Sequence, residues 1–283
     1  MSDRLSTAMV AVTEIAALRR SLAERPRPRG FVPTMGALHA GHLSLVEAAR
    51  RECATVVASL FVNPLQFAAG EDLDRYPRDP TGDAEKFARS GVDVLFAPEA
   101  AEMYPPGFVT AIDVGALGTR YEGAIRPTHF CGVATVVVKL LHIVEPDVLY
   151  LGQKDAQQTA VLRTVVRDLD LPVRVAIVPT VREDDGLAMS SRNVYLNDRE
   201  RAAAPTLYRA LTALRTALEA GMPKAQALAH ARAQLDPLLR EDYLDVVHEL
   251  TFEPLESLRP PAFVIGAVRA GGTRLLDNLW IPR

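Results

Sequence analysis

Two hydrophobic periods alternate through the first two thirds of the chain. The short run Phe31–Pro33 precedes a helical pattern over residues 42–52, and Ala54–Val62 is a continuous apolar run of strand length. An unbroken run of that kind marks a strand buried on both faces. A helical stretch around 84–90 leads into VDVLFA at 92–97. After Thr128 an apolar pattern reaches His142, followed by DVLYLG (147–152), a helical spacing over 155–168 and VRVAIVPTV (173–181). Strand, helix, strand, helix predicts a parallel sheet covered by helices on both faces. Ligands of such sheets gather at the carboxyl ends of the strands.

The pattern changes after Asp184. Residues 198–220 and 224–239 have the Ala/Leu/Arg-rich spacing of amphipathic helices, and EDYLDVVHEL, PAFVIGAVRA and GTRLLDNLWIP follow as strands. The last two are joined across Gly271–Gly272, which predicts an antiparallel hairpin. The expected fold class is therefore α/β: a Rossmann-like parallel-sheet domain over 1–184 and a smaller C-terminal α+β domain over 185–283. The boundary is placed within Arg182–Asp198. Residues 1–20 have helical spacing, and Asp3 and Glu14 break their apolar character, unlike a signal peptide. The apolar segment Phe108–Val114 reads as a strand, equally suited to a subunit contact or to burial within one chain.

Composition narrows the function classes. The chain has 283 residues, 48% hydrophobic and 24% charged, which is ordinary globular usage. Its 32 Lys+Arg against 35 Asp+Glu give a net charge of −3, without the basic surplus of a nucleic-acid binder. Cys53 and Cys131 do not make a disulfide framework and read as small buried hydrophobes. The six histidines are scattered except for His39 and His42, leaving little for a zinc site. No run approaches the ~18 apolar residues of a membrane-spanning helix, so a cytoplasmic protein is expected.

Three polar segments stand where a ligand of this fold would sit. PTMGALHAGHLSL (33–45) follows a strand and opens a helix. Gly36 and Gly41 permit close approach of a ligand to the backbone, and the helix start is an anion site. His39 and His42 lie one helical turn apart and can donate to phosphate oxygens whose charge grows in a transition state. The segment lacks the glycine pattern of a dinucleotide fold and the Gly-Lys-Ser/Thr of a P-loop. LGQKDAQQTAVL (151–162) again follows a strand, with Gly152 for the turn, Lys154 as a cation and Asp155 as a helix cap. GLAMSSRN (186–193) supplies Ser190, Ser191 and Arg192, two hydroxyls and a permanent cation suited to phosphates.

Together these segments strongly resemble the pantothenate synthetase family, the AMP-forming pantoate–β-alanine ligases. The resemblance spans nearly the whole chain through PTMGALHAGH, SLFVNPLQF (59–67), DLDRYPRDP (72–80), YEGAIRPTHFCGV (121–133), GQKDAQQ and DGLAMSSRN. It implies that pantoate and ATP form pantoyl adenylate and pyrophosphate, and that β-alanine then displaces AMP. It further implies ATP contacts from Met35, Gly36, Ala37, Leu38, His39, Ala40, Gly41 and His42, from Gly152, Gln153, Lys154 and Asp155, and from Val181, Met189, Ser190, Ser191 and Arg192. His42, His39, Lys154 and Arg192 are the expected catalytic groups, His42 as proton donor. Gln66 and Gln158 are the expected pantoate ligands, with Asn63, Arg126 and His129 in the same pocket and Asp83 as a Mg²⁺ ligand. A homodimer is also implied. The chain departs from the family pattern at Thr128, Cys131 and Gln153. A nucleotidyltransferase acting on a phosphorylated acceptor and a non-catalytic nucleotide sensor are the rival readings of the same histidine pair.

Overall fold

The computed structural model describes residues 8–68, 70–71 and 73–283, so the first seven residues of the expected N-terminal helix lie outside it. Two compact units emerge, one running through Leu151 and including Val165–Val178, the other comprising Gly152–Thr164 and Pro179–Arg283.

The first unit is built on β1 (Val10–Val12), α1 (Ile15–Leu22), β2 (Arg29–Thr34), α2 (Ala40–Glu52), β3 (Thr55–Leu60), α3 (Pro80–Arg89) and β4 (Val94–Phe96). Two short helices, α4 (Ala100–Met103) and α5 (Glu122–Ile125), precede α6 (His129–Val144), β5 (Val148–Gly152) and β6 (Arg174–Val178), while α7 (Ala156–Asp168), between the last two strands, belongs for most of its length to the second unit. The strands form one six-stranded sheet in the order β1-β4-β3-β2-β5-β6. All pairings from β1 through β5 are parallel, with Arg29 opposite Thr55 and Gly30 opposite Val148. β3 and β4 extend from one side of β2 and β5 from the other, so the strand order reverses at β2, the place where such sheets bind ligands. Continuous burial of β3 and β4 explains why their sequences show no polar alternation. Val32, Val46, Ala49, Val56, Ala58 and Phe87, all fully buried, fill the layer between this sheet and its helices.

Two local expectations for this unit differ. The chain before α1 contributes a three-residue edge strand, so the helical spacing there belongs only to its second half. Phe108–Val114 forms no strand; it follows Pro105, Pro106 and Gly107, and its Ile112 N–H donates to the Thr135 hydroxyl at 3.0 Å. Prolines lack the N–H that a ladder needs, and they disfavour sheet entry here.

The second unit contains α8 (Asp198–Ala203), α9 (Thr206–Glu219), α10 (Lys224–Arg232) and the strands β7 (Leu239–His248), β8 (Ala262–Ala270) and β9 (Thr273–Ile281). The strands make an antiparallel sheet, and β8 and β9 are the expected hairpin, Ala270 pairing with Thr273. One helix expected over 198–220 is two, because Pro205 cannot continue the hydrogen-bond ladder of α8. Leu207, Leu211 and Leu214 on α9 pack with Ala227, Ala231, Val246, Val264 and Val268 into the core of this unit. Among the described residues no helix is long and apolar enough to cross a membrane.

Candidate active site

The segment after β2 is held in a conformation that its sequence would not choose unaided. Gly36 has φ +90°, and Ala37 has φ +52°, a left-handed backbone that costs a non-glycine residue energy. Asp83, 1% exposed on α3, holds the turn: its Oδ2 accepts from the Ala37 N–H at 2.7 Å and its Oδ1 from the Leu38 N–H at 2.9 Å. Lys86, one turn further along α3, donates from Nζ to the Leu38 carbonyl at 3.1 Å and lies 3.5 Å from Asp83 Oδ1. A Cβ on Gly36 would fall 2.9 Å from Asp83 Oδ2 and 2.7 Å from Leu60 Cδ1, so both the φ and the packing require glycine.

This geometry does not fit the Mg²⁺ role expected for Asp83. Its carboxylate is buried, both oxygens already accept backbone N–H groups, and the Lys86 ammonium stands beside one of them. Mg²⁺ demands near-octahedral oxygen ligation with several waters, which such a carboxylate does not offer. Asp83 buttresses the loop instead.

The loop delivers the chain into α2 through two histidines that cap it. His39 is the N-cap, with extended φ −129°, ψ 176°, and its Nδ1 accepts from the Gly41 N–H at 3.1 Å. His42 Nδ1 accepts from the His39 N–H at 3.3 Å, completing a reciprocal capping box in which imidazoles replace the usual hydroxyl and carboxylate. With both Nδ1 atoms accepting, each neutral ring carries its proton on Nε2. The ring centroids are 4.1 Å apart. Two imidazole donors are thus stationed at a helix N-terminus, where the macrodipole favours an anion.

A second cluster of the first unit surrounds Gln66. Asn63 caps a short turn, Pro64–Gln66, and its Nδ2 donates to Gln66 Oε1 and to the Gly132 carbonyl, both at 3.1 Å. The Tyr104 hydroxyl donates to Asn63 Oδ1 at 2.7 Å, and burial pushes that phenol upward. The Gln66 amide reaches Met35 Sδ at 2.9 Å. Arg126 forms a bidentate pair with Glu71, 2.8 and 2.7 Å, and donates to the Gln66 carbonyl at 3.2 Å. Burial raises the Glu71 carboxyl, but the bonds and charge of Arg126 outweigh it and the net shift is downward. His129 Nδ1 is 3.0 Å from the same carbonyl and its Nε2 is 3.2 Å from Arg126 Nη1. Burial first, then the Arg126 charge, lowers the His129 pKa to about 4, so the ring is neutral, donating from Nδ1 and accepting at Nε2. Glycine at 132 is obligatory because a Cβ there would collide with the Leu65 carbonyl. The sequence thus brings Gln66, Asn63, Arg126 and His129 together; the last three are bonded to other protein groups around Gln66.

The second unit carries the remaining candidates. Gly152 ends β5, and a 3₁₀ turn, Gln153–Asp155, sets Lys154 and Asp155 before α7, with 3.5 Å between their charged atoms. Gln158 lies in the first turn of α7, half-buried. Val181 accepts from the Met189 N–H at 3.0 Å, and Arg182 bridges to Ala188, so residues 181–189 form a small hairpin turning at Gly186, φ +94°. Ser190 Oγ then caps a 3₁₀ turn, Ser191–Tyr195, by accepting from the Arg192 N–H at 3.3 Å.

The family departures are accommodated locally. Thr128 is exposed before α6 with an ordinary φ of −96°, Cys131 is a half-buried free thiol within α6, and Gln153 donates to Asn278 Oδ1 at 3.3 Å. Sequence reasoning passed over Lys86, Glu71, Tyr104, Arg182, Asp277 and Asn278, because each acts on a segment remote in sequence. Among the described residues no group of three side chains is arranged to hold a metal ion.

The model of the Pantoate-beta-alanine ligase family matches residues 9–280. The chain is 55% identical over 256 residues to a pantothenate synthetase of Chloroflexus aurantiacus, covering 89% of this chain and 91% of that one. It is 53% identical over 275 residues to one of Thermus thermophilus, covering 96% and 99%. A crystal structure of the pantothenate synthetase of Thermus thermophilus superimposes with a TM-score of 0.93 at 52% identity, over 97% of this chain and 100% of that one. The pantoate–β-alanine ligase of Francisella tularensis, solved with β,γ-ATP and β-alanine, gives 0.80 at 32% identity over 96% and 98%. A family match over nearly the full length, with relatives above half identity, places the chain in the pantoate–β-alanine ligase family, as an enzyme that joins pantoate to β-alanine using ATP.

Proposed function

We propose that the residues described above divide the reaction as follows. His39 and His42 donate from Nε2 to ATP phosphate oxygens as the pantoate carboxylate attacks the α-phosphorus and the bond to pyrophosphate breaks. Their donors are fixed before substrate arrives, so little reorganisation is needed as charge develops. Lys154, Ser190, Ser191 and Arg192 supply further phosphate contacts, and Met35–Leu38, Ala40, Gly41, Gly152, Gln153, Asp155, Val181 and Met189 complete the nucleotide set. Gln66 and Gln158 orient pantoate. Asn63, Arg126 and His129 serve by holding Gln66 in place. The β-alanine amine then attacks the acyl carbon, the bond to the AMP oxygen breaks, and the amine loses a proton to solvent. Mg²⁺ belongs to the triphosphate in this reading, since Asp83 is occupied. We infer a homodimer and a cytoplasmic location from the resemblance to the family, and light scattering at several concentrations tests the former.

The observation that carries this reading is the reciprocal capping box of His39 and His42. Replacing His42 with Ala is expected to lower pantoate-dependent pyrophosphate release by roughly 10²–10³, the range for removing one pre-positioned donor. Turnover near wild type, with unchanged circular dichroism, would exclude the assignment.

A further inference from the structure

The last strand of the second unit carries a dipeptide bonded to one of its proposed nucleotide segments and to the hairpin that leads into the other. Asn278 is 2% exposed, and its side-chain amide donates its two hydrogens to the Gln153 and Lys154 carbonyls, each at 2.9 Å. Its Oδ1 accepts from Gln153 Nε2, so the amide is fully used by the turn that presents Lys154. Asp277, 5% exposed, faces Arg182 at the base of the hairpin before the other segment. Its carboxylate takes both Nη atoms of Arg182, at 2.6 and 2.9 Å, and also accepts the Asn278 N–H at 2.7 Å. Arg182 in turn donates to the Gly186 carbonyl at 3.0 Å and lies 4.0 Å from the Tyr208 ring centroid. The hairpin that Arg182 anchors leads directly into Met189–Arg192.

We propose that Asp277 and Asn278 are positioning residues for adenylation, fixing the Lys154 turn and the Met189–Arg192 arm at one spacing. Neither needs to touch substrate. The physical case is that a buried amide with every donor spent, next to a buried bidentate ion pair, admits few alternative arrangements. Loss of either contact leaves buried groups unpaired and lets the two segments drift, and a displacement near 1 Å from productive geometry costs on the order of 100-fold in rate. The inference rests on the reading of these two segments as phosphate-binding.

The test is a double-mutant cycle on the full chain, read by single-turnover pantoyl-adenylate formation and by ATP binding. Asn278→Ala is expected to slow adenylation 10- to 100-fold while ATP affinity changes less than threefold. In a Lys154→Ala background the same substitution should slow it less than threefold further, because its effect runs through Lys154. A purely structural role would give the same factor in both backgrounds, and that equality would overturn the proposal, as would wild-type adenylation by Asn278→Ala. Should Asn278→Ala fail to fold, Arg182→Lys keeps the charge but loses the two-pronged contact to Asp277; it should show the same coupling, with Arg192→Ala as the second substitution. Independence there would equally refute the proposal. Wild-type adenylation by Lys154→Ala alone would instead refute the phosphate-binding reading, so the two failures are distinct.

Discussion

Removing the Asp83 carboxylate is expected to destabilise the enzyme and misplace its histidines, and to leave its response to Mg²⁺ unchanged. Asp83→Ala deletes the acceptors of two backbone N–H groups, from Ala37 and Leu38, at a site 1% exposed. Each hydrogen bond to a charged group contributes about 1.5–3 kcal/mol. Counting the half-exposed Lys86 pair as negligible, the loss is about 3–6 kcal/mol. Chains of this size shift by roughly 2–4 °C per kcal/mol, so the melting temperature should fall by roughly 6–24 °C. Asp83→Asn retains one acceptor, presents an NH₂ to the other N–H, and should fall between the two. Calorimetry in EDTA isolates this stability effect from any metal. The adenylation rate should drop more than tenfold in both variants, since Ala37 sits at φ +52° and His39 follows two residues on. The Mg²⁺ concentration at half-maximal rate should move less than twofold. An unchanged melting temperature together with a tenfold rise in that concentration would refute the reasoning and make Asp83 a metal ligand.

Three further outcomes are expected. Gln66→Ala should raise the KM for pantoate and leave that for ATP within threefold, whereas Lys154→Ala should impair ATP use; steady-state kinetics with each substrate varied would expose an inverted pocket. His129 is neutral in the fold with a pKa of about 4, against about 6.5 when unfolded, so below pH 6.5 the unfolded chain binds the extra proton. Stability should therefore be lost as pH falls from 6.5 towards 4, by up to about 1.4 kcal/mol per pH unit from this residue; urea unfolding of His129→Gln should lack that component, and an identical slope in the variant would contradict it. Arg192→Ala should slow adenylation more than it weakens ATP binding, and ATP with pantoate should increase hydrogen-exchange protection of residues 182–198 in the wild type, as expected of a segment that orders over the nucleotide.

The parallel sheet was legible because its strands are buried on both faces and announce themselves as unbroken apolar runs; Thr55–Leu60 is the clearest. The edge strand Val10–Val12 was not, since three residues carry too little period to separate from the helix that follows. Phe108–Val114 shows the opposite failure: β-branched composition without a neighbouring strand to receive it. At the candidate site, His39 and His42 could be read directly because their interaction is local, an N-cap and the third helical residue. Asp83 was found but given another role, because sequence cannot show which N–H groups a carboxylate will meet. Arg182 and Asn278 were invisible for the same reason: their partners are fixed by the pairing of β9 with β8, not by spacing along the chain.

The contacts of Asn278 also set a timetable for synthesis. Its carbonyl partners lie 125 and 124 residues earlier in the chain. At the roughly 5–20 residues per second of translation, the Gln153–Asp155 turn leaves the ribosome roughly 6–25 s before the side chain that fixes it. Throughout that interval Gly152–Thr164 has been made, yet the unit to which it belongs is incomplete. Contacts of such long range form slowly and late. The nascent chain can therefore settle its first sheet well before the Lys154 turn reaches its final arrangement, so on the proposed phosphate-binding reading of that turn, nucleotide competence follows the first sheet rather than accompanying it.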